Sequence, residues 1–170
     1  MKRIFFILVC WLMAIQGISQ NLSPTQFTLI CDKSPGEVEE YLTANNWTFY
    51  EAKGETQNKL GNAKFVYDRP NFKLGDSADY LLFFHYSERV KARGIEVLFK
   101  NKAMYKNFNE QMANLKYKLT NSTIDNGSII KVYKKGPQII EVTIPPNFKG
   151  MNGYRYLFAK NSSYKKIRNK

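Results

Sequence analysis

Residues 28–49 read TLICDKSPGEVEEYLTANNWTF, in which a helix start stands between two apolar runs. Ser34 is placed to cap the helix, Pro35 takes the first helical position, and Glu37 can bond back to the cap. Val38 and Leu42 then continue one apolar helical face. The flanking runs, FTLIC at 27–31 and WTFYEA at 47–52, alternate as strands do, so we expect β-α-β across this stretch.

The same order of elements is predicted 70 residues later, in EVLFKNKAMYKNFNEQMANLKYKL at 96–119. IEVLF at 95–99 is the leading strand, and Asn101 is a possible cap. The apolar face of the second predicted helix consists of Met104, Phe108, Met112, Leu115 and Leu119. Apolar positions coincide between the two stretches although identities are few, which favours a duplication over a single undivided α+β domain.

Further strands are predicted in both halves. They are AKFVYD (63–68) and YLLFFHYS (80–87) in the first, and KYKLTN (116–121), SIIKVYK (128–134), QIIEVTIP (138–145) and YRYLFA (154–159) in the second. YLLFFHY is apolar on both faces, so we expect it in the middle of the sheet. The predicted fold class is α+β, with helices packed on an antiparallel sheet, as two tandem β-α-β-β-β units forming one compact body.

The first nineteen residues have the pattern of a secretory signal peptide. Lys2 and Arg3 precede an apolar run of about 12 residues, too short for the ~20 that span a membrane, although a membrane anchor is the competing interpretation. Cleavage is expected after Ser19, with export to the periplasm or the extracellular space. The mature chain then divides into a first unit at 20–88, a second unit with an extra strand at 89–161, joined through a short linker at 89–94, and a basic tail at 162–170 that is expected to fray.

Cleavage would remove Cys10 and leave Cys31 as the one thiol, so no intrachain disulfide could form. Cys31 lies in FTLIC, on the strand face that Phe27 and Leu29 would share. A buried, inert thiol is the prediction, and a reactive or intermolecular thiol is the alternative.

Charge divides the mature chain unequally. Residues 20–88 carry ten acidic and six basic side chains, a net charge of −4, whereas residues 89–170 carry four and eighteen, a net charge of +14. Such asymmetry points to an anionic partner, or else to a lysine-rich surface that maintains solubility. The candidate binding residues are Arg89, Lys91, Arg93, Lys131, Lys134, Lys135, Lys165, Lys166 and Arg168.

The residues needed for most known catalytic sites are missing from the sequence. His85 is the single histidine, which excludes multi-histidine metal sites. The closely spaced acidic residues are Glu37, Glu39 and Glu40. They fall in the first turns of a predicted helix, where they interact favourably with the positive end of its dipole. A pairing of Cys31 with His85 is an open alternative, although both lie among apolar neighbours in predicted strands. No catalytic residue, cofactor or metal is therefore predicted.

These observations favour an exported, non-catalytic binding protein whose exposed sheet face or loops engage an unknown macromolecule, either a protein or an anionic component of the envelope. Its aromatic content of 15% supplies the side chains on which interfaces anchor. The alternative is a module that binds a polyanion, such as lipopolysaccharide, an acidic glycan, an anionic membrane surface or nucleic acid, through the basic second half. A small enzyme is the third possibility. Neither a transmembrane span nor a nucleotide cofactor is expected.

Overall fold

Eight strands pair into one antiparallel sheet in the computed structural model, which describes residues 22–73, 78–146 and 153–169. The predicted signal peptide and the predicted cleavage site lie outside these residues. The strands are β1 (Trp47–Lys53), β2 (Gly61–Tyr67), β3 (Tyr80–Ser87), β4 (Ala92–Phe99), β5 (Lys118–Asp125), β6 (Ser128–Lys135), β7 (Gln138–Ile144) and β8 (Tyr154–Lys160). The helices in the described part are α1 (Pro24–Ile30), α2 (Pro35–Thr43), α3 (Lys102–Asn114) and α4 (Asn161–Arg168).

The strand order is β1-β2-β3-β4-β8-β7-β6-β5. Each half is thus a four-stranded meander, preceded by α1 and α2 in the first half and by α3 in the second. The two meanders join where β4 pairs with β8, from Gly94 opposite Ala159 to Phe99 opposite Tyr154. The predicted α+β class, with helices on an antiparallel sheet, is confirmed. The duplication stays a prediction. It would produce two such halves that meet through equivalent strands, here the last strand of each meander.

The first half pairs as its apolar pattern indicates. β3, the YLLFFHY strand, lies between β2 and β4, so its predicted interior position is confirmed. Residues 89–94, expected to link two units, instead contain the end of the turn between β3 and β4 and the first residues of β4. The boundary at 88/89 therefore falls inside a β-hairpin.

The predicted leading strand FTLIC is wrong, because these residues lie in and just after helix α1. Ser23 caps this helix in a reciprocal pair with Gln26, and Pro24 begins it. Phe27 is fully buried in the core, whereas Leu29, its predicted companion on a strand face, is 65% exposed. The periodicity of a short apolar run cannot distinguish a strand from a helix. Here the capping residues upstream of the run indicate the helix. The predicted burial of Cys31 is confirmed.

The helix starts at Ser34 and Asn101 are confirmed as capped N-termini of α2 and α3. The predicted face of α3 is correct through Met112 and wrong beyond it. The helix ends at Asn114, and Lys116 has a left-handed φ of 65°, which reverses the chain into β5. Leu119 consequently lies in that strand and is 53% exposed.

Helices α1, α2 and α3 pack on one side of the sheet, called here the front face. The core between them is aromatic: the ring centroid of Phe108 in α3 lies 5.2 Å from that of Phe99 in β4 and 5.2 Å from that of Tyr156 in β8. Phe27 in α1 approaches Phe158 to 5.2 Å. Burial of such large rings supplies the main stabilisation of this chain, whose described part contains no disulfide.

The tail expected to fray instead forms helix α4, which lies on the opposite side of the sheet, the back face. Ser163 is 7% exposed, and Lys166 Nζ donates a hydrogen bond of 2.8 Å to the Val90 carbonyl. Gly94 permits this close packing, since a Cβ there would lie 2.5 Å from Ile167 Cδ1 and 3.0 Å from the Phe158 carbonyl oxygen. Tertiary contacts therefore order a segment whose composition alone favours disorder.

Candidate binding surface

The turn between β3 and β4 and helix α4 bring two of the predicted basic segments, 89–93 and 165–168, next to each other. Lys166 bonds to the turn, and the Arg93 amide donates to Ser163 Oγ at 3.3 Å. The predicted basic residues on these two segments are Arg89, Lys91, Arg93, Lys165, Lys166 and Arg168. The Arg93 side chain, however, lies on the front face, where it donates to the Asp32 carbonyl at 2.9 Å. The sequence did not predict this contact between the 89–94 segment and the tail, which the fold creates as a spatial neighbourhood.

The three arginines in this neighbourhood each have an acidic partner within the chain. Arg89 Nε lies 3.6 Å from Glu55 and Arg93 Nη2 lies 2.8 Å from Glu88. Arg168 Nε lies 2.7 Å from Glu141. These pairs offset much of the positive charge that the arginines contribute.

The other three predicted residues lie on β6 and do not share one face. Lys131 and Lys135 alternate with Lys134, so the first two lie on the front face beside Tyr133 and the third lies on the back. Lys135 Nζ stands 5.9 Å from the ring centroid of Tyr117. The basic side chains are thus distributed over both faces.

A row of apolar side chains, missed by the sequence analysis, crosses the front face of the second meander. It leaves the core at Phe99, which pairs with Tyr154, and continues through Ile144, which pairs with Ile129, to Ile124. Exposure rises along it, from 0% at Phe99 to 41% at Ile129 and 79% at Ile124. The apolar row, defined as Ile124, Ile129, Ile144 and Tyr154, runs out from under the helices that cover the central strands.

Tyrosine side chains border this row where it meets helix α3. The rings of Tyr105 and Tyr154 stack with centroids 4.3 Å apart. Beneath them the Tyr156 hydroxyl donates to the Tyr105 carbonyl at 3.3 Å and contacts Asn109 Oδ1 at 3.2 Å. Burial, with the proximity of Tyr105, raises the pKa of Tyr133 above its ordinary value. These tyrosines are therefore closely packed at the edge of the core.

The open face is defined here as the apolar row together with Tyr105, Lys131 and Tyr133. Its charge is positive, because the front-facing positions of β5, β6 and β7 carry Lys131 and Lys135 but no acidic residue. The acids of these strands, Asp125 and Glu141, alternate onto the back face. An arrangement of apolar, aromatic and lysine side chains suits a partner that is apolar and acidic.

The thiol–imidazole pair left open by the sequence does not form. Cys31 Sγ lies in the front core, 3.2 Å from the Phe27 carbonyl oxygen and 3.3 Å from that of Phe158, and burial raises its pKa to about 12. His85 lies on the back face, where its Nε2 is 3.6 Å from Glu96 Oε2. The sheet separates the two side chains.

The back face also carries a cleft of about 470 Å³ between α4 and the second meander. The charged side chains that line it are Asp125, Glu141, Arg155 and Arg168. Arg168 pairs with Glu141, and Arg155 Nε lies 3.3 Å from Glu96 Oε1. A second cleft, of about 500 Å³, lies near the start of α3 and contains Tyr80, Asp68 and Asp79. Both clefts mix acidic and basic groups, so neither singles out one class of ligand.

Within the described residues, histidine, cysteine and acidic side chains form no group of three or more suited to hold a metal ion. None of the helices described combines the length and the apolar character needed to cross a membrane. The chain matches no protein family, and searches of curated proteins and of solved structures find no similar protein.

Proposed function

We propose that this chain is a non-catalytic binding protein whose open face docks another protein. The observation that carries the proposal is the rising exposure of the apolar row, from a core residue at Phe99 to 79% at Ile124. Contiguous apolar side chains at the surface, beside polar residues, are characteristic of interaction sites. Isolated exposed apolar residues such as Leu29, by contrast, need no functional explanation.

The composition of the open face indicates the chemistry of the partner. Tyrosines provide large contact areas at a small cost in conformational entropy, and those at 105, 133 and 154 are already held in place by stacking and burial. Lys131, half-buried among them, would gain from a carboxylate on the partner. The expected partner surface therefore presents apolar side chains around at least one Asp or Glu.

The site of the encounter follows from the predicted signal peptide. An exported chain would meet its partner in the periplasm or outside the cell, so the candidate partners form a pool of envelope and medium proteins. In that pool the mature chain, from residue 20 onward, is the species that binds.

The experiment is an affinity capture with the mature chain against envelope and medium proteins, comparing two matched aspartate substitutions. Ile129→Asp places a charge in the apolar row, and Leu29→Asp places one at an exposed apolar position on α1. Removing a central anchor of an interface typically costs more than about tenfold in affinity. We expect a specific partner to be lost with I129D and retained with L29D.

Equal retention of the captured partner by both variants would contradict docking on the open face. Loss with L29D alone, at unchanged circular dichroism, would move the interface to the first half. Direct titration of the purified partner, with Lys131→Glu as a third variant, then tests the charge preference. Binding by K131E that is as tight as by wild type would refute the acidic character assigned to the partner.

A further inference from the structure

Strand β5 forms one edge of the sheet and is exposed along all eight residues. Its outer side carries backbone amides and carbonyls that no other strand of the described chain pairs with, and such edges are templates for strand addition. The opposite edge strand, β1, differs, because α2 packs against it and Trp47 at its start is 2% exposed. Of the two edges, β5 is the more accessible.

A bulge in β5 determines which of its side chains share a face. The pairing with β6 shifts between Leu119 and Asn121, which leaves Thr120 as the extra residue. Leu119 and Ile124 therefore both lie on the front face, although an odd number of positions separates them. Lys118 and Asp125 both lie on the back face for the same reason.

These positions make the strand complementary to itself. When β5 is laid antiparallel against a second β5 about Ser122, Leu119 stands opposite Ile124 and Lys118 stands opposite Asp125. Opposed residues in an antiparallel ladder share a face, so each apolar pair lies on the front and each ion pair on the back. Both contacts occur twice, as the symmetry of a two-fold interface requires.

One end of β5 carries an unfavourable arrangement of charges in the single chain. Lys118 stands opposite Lys134 of β6, a like-charged cross-strand pair that is unfavourable. Lys118 has no ion-pair partner within the described residues, whereas Asp125 interacts electrostatically with Arg168 on the back face. A carboxylate arriving next to Lys118 would relieve the repulsion.

We propose that two copies of this chain associate through their β5 edges, antiparallel about Ser122, to form one continuous sheet. The inference goes beyond the proposed function, since it concerns the outer edge of β5 and a second copy. It also places the two apolar rows end to end, with Ile124 against Leu119 of the partner subunit. The open faces of both copies then form a single, longer surface. Because strand addition buries little area, the association is weak and depends on concentration.

Sedimentation equilibrium of the mature chain over a wide concentration range tests the proposal. Wild type is expected to dimerise reversibly. K118D makes both ends of β5 acidic and D125K makes both ends basic, so each variant alone is expected to dimerise about tenfold more weakly or worse. Mixing the two variants restores both ion pairs across the interface, and the mixture is expected to dimerise like wild type.

A monomeric wild type at every concentration would overturn the proposal, as would dimers of K118D or D125K as stable as those of wild type. A mixture that stays monomeric would overturn the antiparallel register. Capture of an extended peptide from another protein by a monomeric chain would assign the edge to that partner instead.

Disulfide trapping provides a second measurement that does not depend on weak charge effects. S122C puts a thiol on the proposed two-fold axis, and N126C puts one in the neighbouring turn. Oxidation is expected to cross-link S122C into a covalent dimer and to leave N126C monomeric. Equal cross-linking of the two would overturn the register. A failure of cross-linking would not contradict docking on the open face, because I129D tests that face in the single chain.

Discussion

Arg168 Nε lies 2.7 Å from Glu141 Oε2, and this contact joins the last turn of helix α4 to the middle of strand β7. Glu141 is 8% exposed and also accepts a hydrogen bond from Tyr164. A buried carboxylate that loses its cation is left with an uncompensated charge. The pair therefore explains why the basic C-terminal segment is ordered.

Arg168→Ala is expected to lower the free energy of unfolding by roughly 1–2 kcal/mol, because solvent partly screens this half-exposed arginine. Lys165→Ala, at an exposed position on the same helix, is expected to stay within about 0.5 kcal/mol. Urea denaturation of both variants measures the difference. Similar values for the two would contradict an anchoring role for the Arg168–Glu141 pair.

Substitutions at a buried and at an exposed apolar position of α1 distinguish the helix from the strand that the sequence indicated. Phe27→Ala is expected to cost about 3–5 kcal/mol because the ring is fully buried against Phe158. Leu29→Ala is expected to cost no more than about 0.5 kcal/mol because its side chain is 65% exposed. A strand would make both substitutions costly, so comparable losses would argue against the helix.

Glu96 makes the free energy of unfolding depend on pH in the acidic range. Burial raises its pKa, but the imidazole of His85 and the guanidinium of Arg155 more than offset this, and the pKa lies below its ordinary value. A depressed carboxyl pKa stabilises the fold above the unfolded-state pKa, about 4.3, and the contribution is lost as pH falls through the folded-state value. Chemical denaturation at several pH values should show a smaller acid-induced loss for Glu96→Gln than for wild type. Parallel pH profiles would contradict this.

Cys31 is expected to resist alkylation in the folded protein. Its pKa is raised to about 12 by burial, so the reactive thiolate is scarce at neutral pH, and the side chain is 1% exposed. Iodoacetamide should modify the mature chain only in denaturant, as followed by intact mass. Rapid labelling of the native chain would show that the thiol is accessible and would revive the reactive alternative.

The alternative that the chain binds a polyanion stays a prediction. Substitutions on the two faces of the sheet test which face would bind it. Lys135→Glu alters the front of β6 and Lys134→Glu alters the back, whereas Lys53→Glu and Lys59→Glu in the acidic half serve as controls. If a polyanion binds the front, K135E weakens heparin binding and K134E does not. The affinity should fall with salt, because displaced counterions drive such binding. No binding at low ionic strength would eliminate the alternative.

Local signals in the sequence determined much of this fold. The caps at Ser34 and Asn101, the apolar character of YLLFFHYS on both of its faces, and the reversal at Gly136 involve only a few residues each, so they could be identified without tertiary information. The same reasoning failed for FTLIC, because a short and mostly apolar run fits either a helix or a strand. The cap at Ser23 and Gln26, which lies upstream, was the signal that could have resolved it.

Tertiary structure alone decided the pairing of β4 with β8 and the packing of α4, since both depend on residues far apart in sequence. It also decided the candidate site. Ile124 and Ile129 have the composition of core residues, and they are exposed because the helices of the front face cover other strands. The nine basic residues, grouped by charge in the sequence, separate because β6 alternates its side chains between faces and because the three arginines meet carboxylates nearby. Burial and ion pairing are properties of neighbours in space, and a sequence specifies them only through the fold.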